Sequence, residues 1–275
     1  MFHETWKSVS RSSHMHKKRK NLRPATFLLL ALWMGFGGGL FGQTENPFVK
    51  QSKDFVQAIK SGYDIQPYLN AYSDLNLNEL SKGLNTKNEK LAFWINTYNG
   101  FIQLVLMKDP DLYQDRGDFF KEERLDIAGI EMSFDDLEHS IMRNSTNKLS
   151  GGYLRKWFEP KWVCKLRNEE IDGRIHFALN CGAISCPPVA IYDDTTLDKD
   201  LDFISKQYLT DHTRIKKEKV YTTALFSWFR GDFGGLSGVK DFLKKYQIVG
   251  QDIDIDLEFN DYDWTLSLGN YTELP

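Results

Sequence analysis

From Leu91 to Met107 the chain runs for 17 residues without a charged side chain, and no other stretch constrains the fold as much. Leu91, Trp94, Ile95, Tyr98, Phe101, Ile102, Val105 and Leu106 follow the three- and four-residue spacing of an amphipathic helix. With no charge on any face, the segment has little to turn toward water, so it is expected to be a buried, central helix. Burial creates an obligation. Asn96, Asn99 and Gln103 make a polar stripe whose amides need hydrogen-bond partners inside the protein.

The segments around this helix are mixed in type. Residues from about 50 to 85 read as helical. Leu125-Asp126-Ile127 and Ile130-Glu131-Met132, joined by Ala128-Gly129, read as a small hairpin. Ser133 with Asp136 resembles a capping box opening a short helix to about Arg143. On that helix Phe134, Leu137 and Ile141 form the apolar stripe, and His139 points roughly the opposite way, alongside Arg143. Asn144 to Gly152 is turn-rich and reads as a loop. Arg174 to Asn180 alternates like a strand, with Ile175, Phe177 and Leu179 on one face, and Gly182 and Pro187-Pro188 stop it. Thr195–Leu209, Ala224–Arg230 and Val239–Tyr246 read as helices, Val220–Thr223 as a strand, and Ile253–Leu268 as a hairpin or two edge strands. The expected class is α+β, mostly helical with a small, largely antiparallel sheet, in a single compact domain. Residues 43–87 form its N-terminal helical segment, packed as one unit with a core of residues 88–275.

The first 42 residues read differently. Lys17-Lys18-Arg19-Lys20 and Arg23 lead into an uncharged apolar stretch from Ala25 to Phe41, the order of a secretory signal peptide, with Met15 as an alternative start. At 17 residues, interrupted by glycines, the stretch falls short of the ~20 a membrane-spanning helix needs. No cysteine lies near the cleavage point to accept a lipid. The expectation is an exported, soluble protein of the periplasm or extracellular space, with no stable membrane insertion after cleavage. Without the leader, 28 Lys and Arg face 37 Asp and Glu, a net charge of −9 that argues against nucleic acid or anionic lipid as a partner. Three of the six histidines leave with it, so Cys164, Cys181, Cys186, His139, His176 and His212 are the thiols and imidazoles of the mature chain. In an oxidising compartment Cys181 and Cys186 are the nearest pair for a disulfide.

Five blocks, in order, resemble the family called domain of unknown function 547. They are Lys90 to Asn99 (KLAFWINTYN), Asp136 to Arg143 (DLEHSIMR), Arg174 to Pro187 (RIHFALNCGAISCP), Phe226 to Phe233 (FSWFRGDF) and Tyr262-Asp263-Trp264. The resemblance covers roughly residues 88 to 266. It implies kinship and brings no established activity, but it centres attention on the Glu-His, Cys-Gly and Trp-Ile-Asn blocks.

Two functions of different kinds fit these residues. In the first, Cys181 is a nucleophile that attacks an amide, peptide or thioester-like carbonyl, in a cysteine-dependent hydrolase or acyl transferase. Gly182-Ala183 would let a carbonyl approach the backbone N–H groups, His139 would be the base, and Asn96 or Asn99 would orient it. Glu138, about 100° round an α-helix from His139, is not expected to orient that ring. In the second, the domain is a non-catalytic binding module for a peptide or small molecule, and Cys181–Cys186 is a structural disulfide. His176, Trp94, Tyr98, Ser185, Cys186 and Arg143 are the candidates to line its pocket. Thiol–disulfide exchange is a third reading, disfavoured by the lack of a Cys-x-x-Cys motif. No standard metal spacing, phosphate loop or dinucleotide fingerprint is present, so neither a metal nor a cofactor is expected.

Overall fold

A computed structural model of the protein describes residues 45–217, 219–252 and 256–275; the expected leader, residues 1–42, lies outside the described residues. The uncharged segment is the heart of α4 (Lys87–Lys108), buried over almost its whole length. A capping box starts it, Thr86 accepting from Glu89 N–H while the Glu89 carboxylate accepts from Thr86 N–H. Helices α1 (Pro47–Ser61), α2 (Gln66–Ser73) and α3 (Leu77–Gly83) precede it. α1 packs along α4, and the approach is close because position 100 is glycine: a Cβ there would lie 2.6 Å from the Phe55 ring. Phe55, Tyr72, Phe93 and Phe101 fill the space between with tilted and edge-on ring contacts.

After α5 (Arg116–Lys121), β1 (Leu125–Ile127) and β2 (Ile130–Met132) form the expected antiparallel hairpin. Ala128 and Gly129 both have positive φ, 57° and 69°, the requirement of the type I′ turn that suits a two-residue hairpin. The short α6 (Lys161–Leu166) and long α7 (Leu197–His212) follow, then β3 (Arg214–Lys216) and β4 (Lys219–Thr222), antiparallel to each other. α8 (Leu225–Trp228), α9 (Gly235–Lys245) and β5 (Asp256–Phe259) complete the order. The class is α+β and mostly helical, as expected, with one antiparallel pair and one mixed three-stranded sheet.

Two local expectations give way. Arg174–Asn180 is not a strand: Gly173–Phe177 is a 3-10 turn capped by Asp172, and irregular chain follows. The segment threads between two apolar cores. Ile175, Ala178 and Leu179 join the one around α4, while Phe177 joins a second with Tyr208, Leu209, Val220, Phe226, Val239 and Leu243. His176 is buried as well. When every side is buried, apolar alternation no longer distinguishes a strand. The C-terminal stretch, expected as a hairpin or two edge strands, contributes one edge strand and, among the described residues, no hairpin. β5 runs parallel to β4, and the tail then lies along the cysteine loop through Ile184 N–H to Thr265 O (2.9 Å) and Ser267 N–H to Gly182 O (2.7 Å). Alternation shows which face is buried, not which strand is the neighbour.

The amide stripe meets its obligation in this irregular region. Asn96 accepts from Tyr192 N–H and donates to Tyr192 O, while Asn99 accepts from Asn180 N–H and donates to Ala178 O. Gln103 donates to Asn180 Oδ1 and accepts from Gly269 N–H. One helix face thus does for a strandless backbone what a sheet neighbour would do. Asn99→Ala leaves a buried N–H and a buried C=O unpaired, and is expected to destabilise the domain by about 1–3 kcal/mol in urea denaturation.

Candidate functional site

The Glu-His block forms a π-helix, Asp136–Met142, entered through the expected Ser133–Asp136 box. Its wider turn is closed by Arg143 N–H to Glu138 O and Ser145 N–H to Ser140 O, five residues apart in each case; such turns recur at functional sites. It ends in two consecutive left-handed residues, Asn144 (φ 49°) and Ser145 (φ 60°), a conformation that costs a non-glycine residue about 1–2 kcal/mol. Their side chains are spoken for by Glu169 O and Arg167, which hold the turn.

The widened turn overturns the expected disposition of His139. Rather than standing free, the ring is 3% exposed, with Arg143 Nη1 at 2.7 Å from Nδ1, Glu138 Oε1 at 3.5 Å from Nδ1 and Asp135 Oδ1 at 3.6 Å from Nε2. A guanidinium can only donate, so Nδ1 accepts and the neutral ring carries its proton on Nε2. Burial, reinforced by Arg143, holds its pKa well below the ordinary range. The ring therefore has no lone pair free to serve as a base. Glu138, which was not expected to meet this ring, is the closer carboxylate.

From Arg143 the network continues inward. Arg143 donates through Nε and Nη2 to both oxygens of Asp232 (2.6 and 3.1 Å), and Asp232 Oδ2 accepts from His176 Nε2 at 2.7 Å. Both partners of the ion pair are effectively sealed from solvent. His176 stacks on Phe229 with ring centres 3.7 Å apart, and Arg143 lies over the same ring. Despite burial, hydrogen bonds from His176 and Arg143 keep Asp232 ionised, while burial lowers His176 to a pKa of about 4. The turn carrying Asp232 is brought in by facing glycines: a Cβ on Gly152 would lie 2.4 Å from Asp232 Oδ1, and one on Gly231 would lie 2.5 Å from the Gly152 backbone. Arg143 and His176, expected to line a pocket, are instead the buried frame behind it.

Glu138 stands beside this frame, its Oε1 3.5 Å from His139 Nδ1. Its side chain is 14% exposed and, among the described residues, its carboxylate accepts no hydrogen bond. Burial, with the nearby charge of Asp135, outweighs Arg143 and Lys148 and raises its pKa to about 7. Its charge reaches Tyr98 and Tyr262, whose hydroxyls burial holds in the protonated form. Lys148, paired to Asp135 at 2.8 Å, borders a shallow depression of about 550 Å³ whose lining includes Gln114, Arg116, Phe120 and Trp264. Trp228, Tyr262 and Trp264 pack together at its edge, with centroids 4.7–5.5 Å apart and Trp228 38% exposed. Arg116 lies over the Trp264 ring at 5.0 Å and has no carboxylate partner among the described residues.

The cysteine loop lies against Tyr262, next to this aromatic edge. Cys181 and Cys186 are joined in a disulfide, and Cys164 is free and exposed. Tyr262 Oη lies 3.2 Å from the sulfur of Cys186 and 3.4 Å from that of Cys181. Cys181 is therefore a disulfide sulfur beside a phenol, not a thiol beside an imidazole. Asn96 and Asn99 spend both ends of their amides on backbone and orient no histidine. Trp94 and Tyr98 are core side chains. Ser185 anchors the tail, its hydroxyl accepting from Asp263 N–H at 2.9 Å.

Of the residues now gathered here, Glu138, Asp232, Trp228, Tyr262 and Trp264 stood inside the five blocks without being singled out for the site; Arg116 and Asp135 carried no signal. A family model described as "Protein of unknown function, DUF547" matches residues 81–209, which include the π-helix and the cysteine loop but neither Asp232 nor the aromatic edge. No curated protein and no solved structure matches the chain.

Proposed function

The chain carries the DUF547 domain, and from that premise we propose that it is an exported binding module for an anionic peptide or small molecule, with Cys181–Cys186 as a crosslink beside its site. The observation that carries this reading is Arg116, a guanidinium without a carboxylate partner among the described residues, laid over Trp264 in the lining of a depression bordered by Lys148, whose charge also acts on Glu138. A planar cation on an indole offers its N–H fork to a carboxylate or phosphate and leaves the neighbouring aromatic faces for the apolar part of the ligand. Glu138, protonated over part of the neutral range, can donate to a second ligand oxygen. The thiol-enzyme alternative loses support from the same geometry, because it needs a free Cys181 and a basic His139. The signal-like leader supports export, and a disulfide is at home in the oxidising compartment that export implies.

A thermal-shift screen of acidic peptides and aromatic carboxylates tests this, followed by titration calorimetry of the hits. Arg116→Ala is expected to weaken binding at least about tenfold, the loss of one charge-assisted contact. Hits that bind Arg116→Ala and Trp264→Ala as tightly as the parent would remove this site from consideration.

A further inference from the structure

The two sulfurs of the disulfide sit in unlike surroundings. Cys181 is half-buried, whereas Cys186 is 3% exposed. Three donors converge on the Cys186 sulfur: Cys181 N–H at 3.0 Å, Ala183 N–H at 3.3 Å and Tyr262 O–H at 3.2 Å. In extended chain, alternate N–H groups point along a common direction but lie too far apart to share one atom. Here Gly182, at φ 87°, folds the backbone so that the N–H groups on either side of it close on a single point. This concavity is of the kind that binds anions. Its glycine is required for space as well as for φ, since a Cβ would lie 2.8 Å from Leu106 Cδ1. A neutral disulfide sulfur is a weak acceptor and gains little from three donors. A thiolate gains much more.

We propose that Cys181–Cys186 is a thiol–disulfide exchange site: a thiolate from a thiol-bearing small molecule or protein attacks the sulfur of Cys181 and expels Cys186 as a thiolate held by the Gly182 nest and Tyr262. The first step forms a mixed disulfide between the incoming sulfur and Cys181, and the electron pair of the old S–S bond leaves on Cys186. A second external thiolate then attacks the external sulfur of the mixed disulfide and releases Cys181, which takes up a proton. The external thiols end as their own disulfide, and two electrons have passed to the cysteine pair. Exchange quickens as the leaving thiol becomes more acidic, so the asymmetry fixes which sulfur is attacked and which departs. Burial keeps the Tyr262 hydroxyl protonated, so it remains a donor throughout. The absence of a Cys-x-x-Cys motif does not count against this, because the environment of the leaving sulfur, not the spacing, supplies the driving force.

The test uses the full chain with Cys164→Ser, so that the exposed free cysteine does not report. The protein is equilibrated in glutathione buffers, quenched in acid and mapped by mass spectrometry. The expected result is a pair that opens in reduced glutathione while circular dichroism stays native, with trapped glutathione on Cys181. Cys181→Ser in the same background should show a Cys186 thiolate, read by its ultraviolet absorbance, titrating at least one pH unit below the ~8.5 of an ordinary thiol. Tyr262→Phe should raise that midpoint and slow exchange several-fold. A bond that stays closed in reduced glutathione, or glutathione trapped on Cys186, overturns the proposal. If Cys181→Ser does not fold, opening of the parent disulfide and the position of the adduct still decide it. No ligand enters these measurements, so failure here is separate from failure of the binding reading.

Discussion

Asp232→Ala is expected to cost about 3–5 kcal/mol of folding stability, which places it among the largest single-substitution effects. The size follows from what it strands. Arg143 is sealed from solvent, and Asp232 takes two of its N–H groups while also accepting from His176. With the carboxylate gone, the guanidinium keeps the Phe229 face and the neutral His139 nitrogen but, among the described residues, no hydrogen-bonded carboxylate. Urea denaturation should show a much lower midpoint at an unchanged slope. The companion variant separates an unpaired charge from a cavity: Arg143→Met combined with Asp232→Ala should regain at least about half of the loss, because no guanidinium is then left in the interior without its carboxylate. If the double variant is as unstable as the sum of the two single ones, the ion pair is not what supports this side of the site.

The π-helix, the 3-10 turn and the Asp232 turn meet over sequence separations that no local pattern reports, which explains what the chain did and did not disclose. α4 was legible because a run without charge has a single physical solution, and its amides were legible as an obligation, though not as to who would meet it. The β1–β2 hairpin was legible because two short alternating segments, Leu125-Asp126-Ile127 and Ile130-Glu131-Met132, are joined by only two residues. The strand expected at Arg174–Asn180 failed because its alternation reflected burial between two cores. His139 was placed by assuming 3.6 residues per turn, and a π-turn alters that angle. Glu138 was set aside on the same assumption. Asp232 stood in a block of the resemblance, but its role depends on a contact 89 residues away, held by two glycines whose shared reason, mutual approach, exists only in three dimensions. The cysteines were legible as a pair. The three donors on one of them depend on the φ of Gly182 and on a tyrosine from the far end of the chain.

Glu138→Gln should stabilise the protein at pH 8, by on the order of 3 kcal/mol, and leave it unchanged at pH 4. The sign follows from linkage. The folded-state pKa of Glu138 is raised to about 7 from 4.5, mainly by burial, so over that window the folded chain binds the proton that the unfolded chain has released. Stability contributed by this group is complete below the unfolded value and is lost as pH rises through the folded one. Some 2.5 units at about 1.36 kcal/mol each gives the stated order of magnitude. Glutamine keeps the shape and removes the ionisation. The parent protein will not show this plainly, because His176 works in the opposite direction. Its pKa falls from 6.5 to about 4, so the folded chain binds fewer protons there and stability rises with pH across a similar window. His139, also held well below its ordinary range, acts in the same direction as His176, so Glu138 offsets only part of what the buried histidines contribute, and the profile of Glu138→Gln should climb more steeply than the parent's between about pH 4.5 and 7. A side chain whose removal strengthens the fold is retained for something other than stability. Lys148, whose charge acts on Glu138, borders the depression of Arg116 and Trp264, so under the proposed binding function the same substitution should weaken whatever ligand the screen identifies. A variant that is less stable than the parent at pH 8, or whose gain does not depend on pH, would mean that Glu138 is an ordinary structural carboxylate and that the site has no acid at its base.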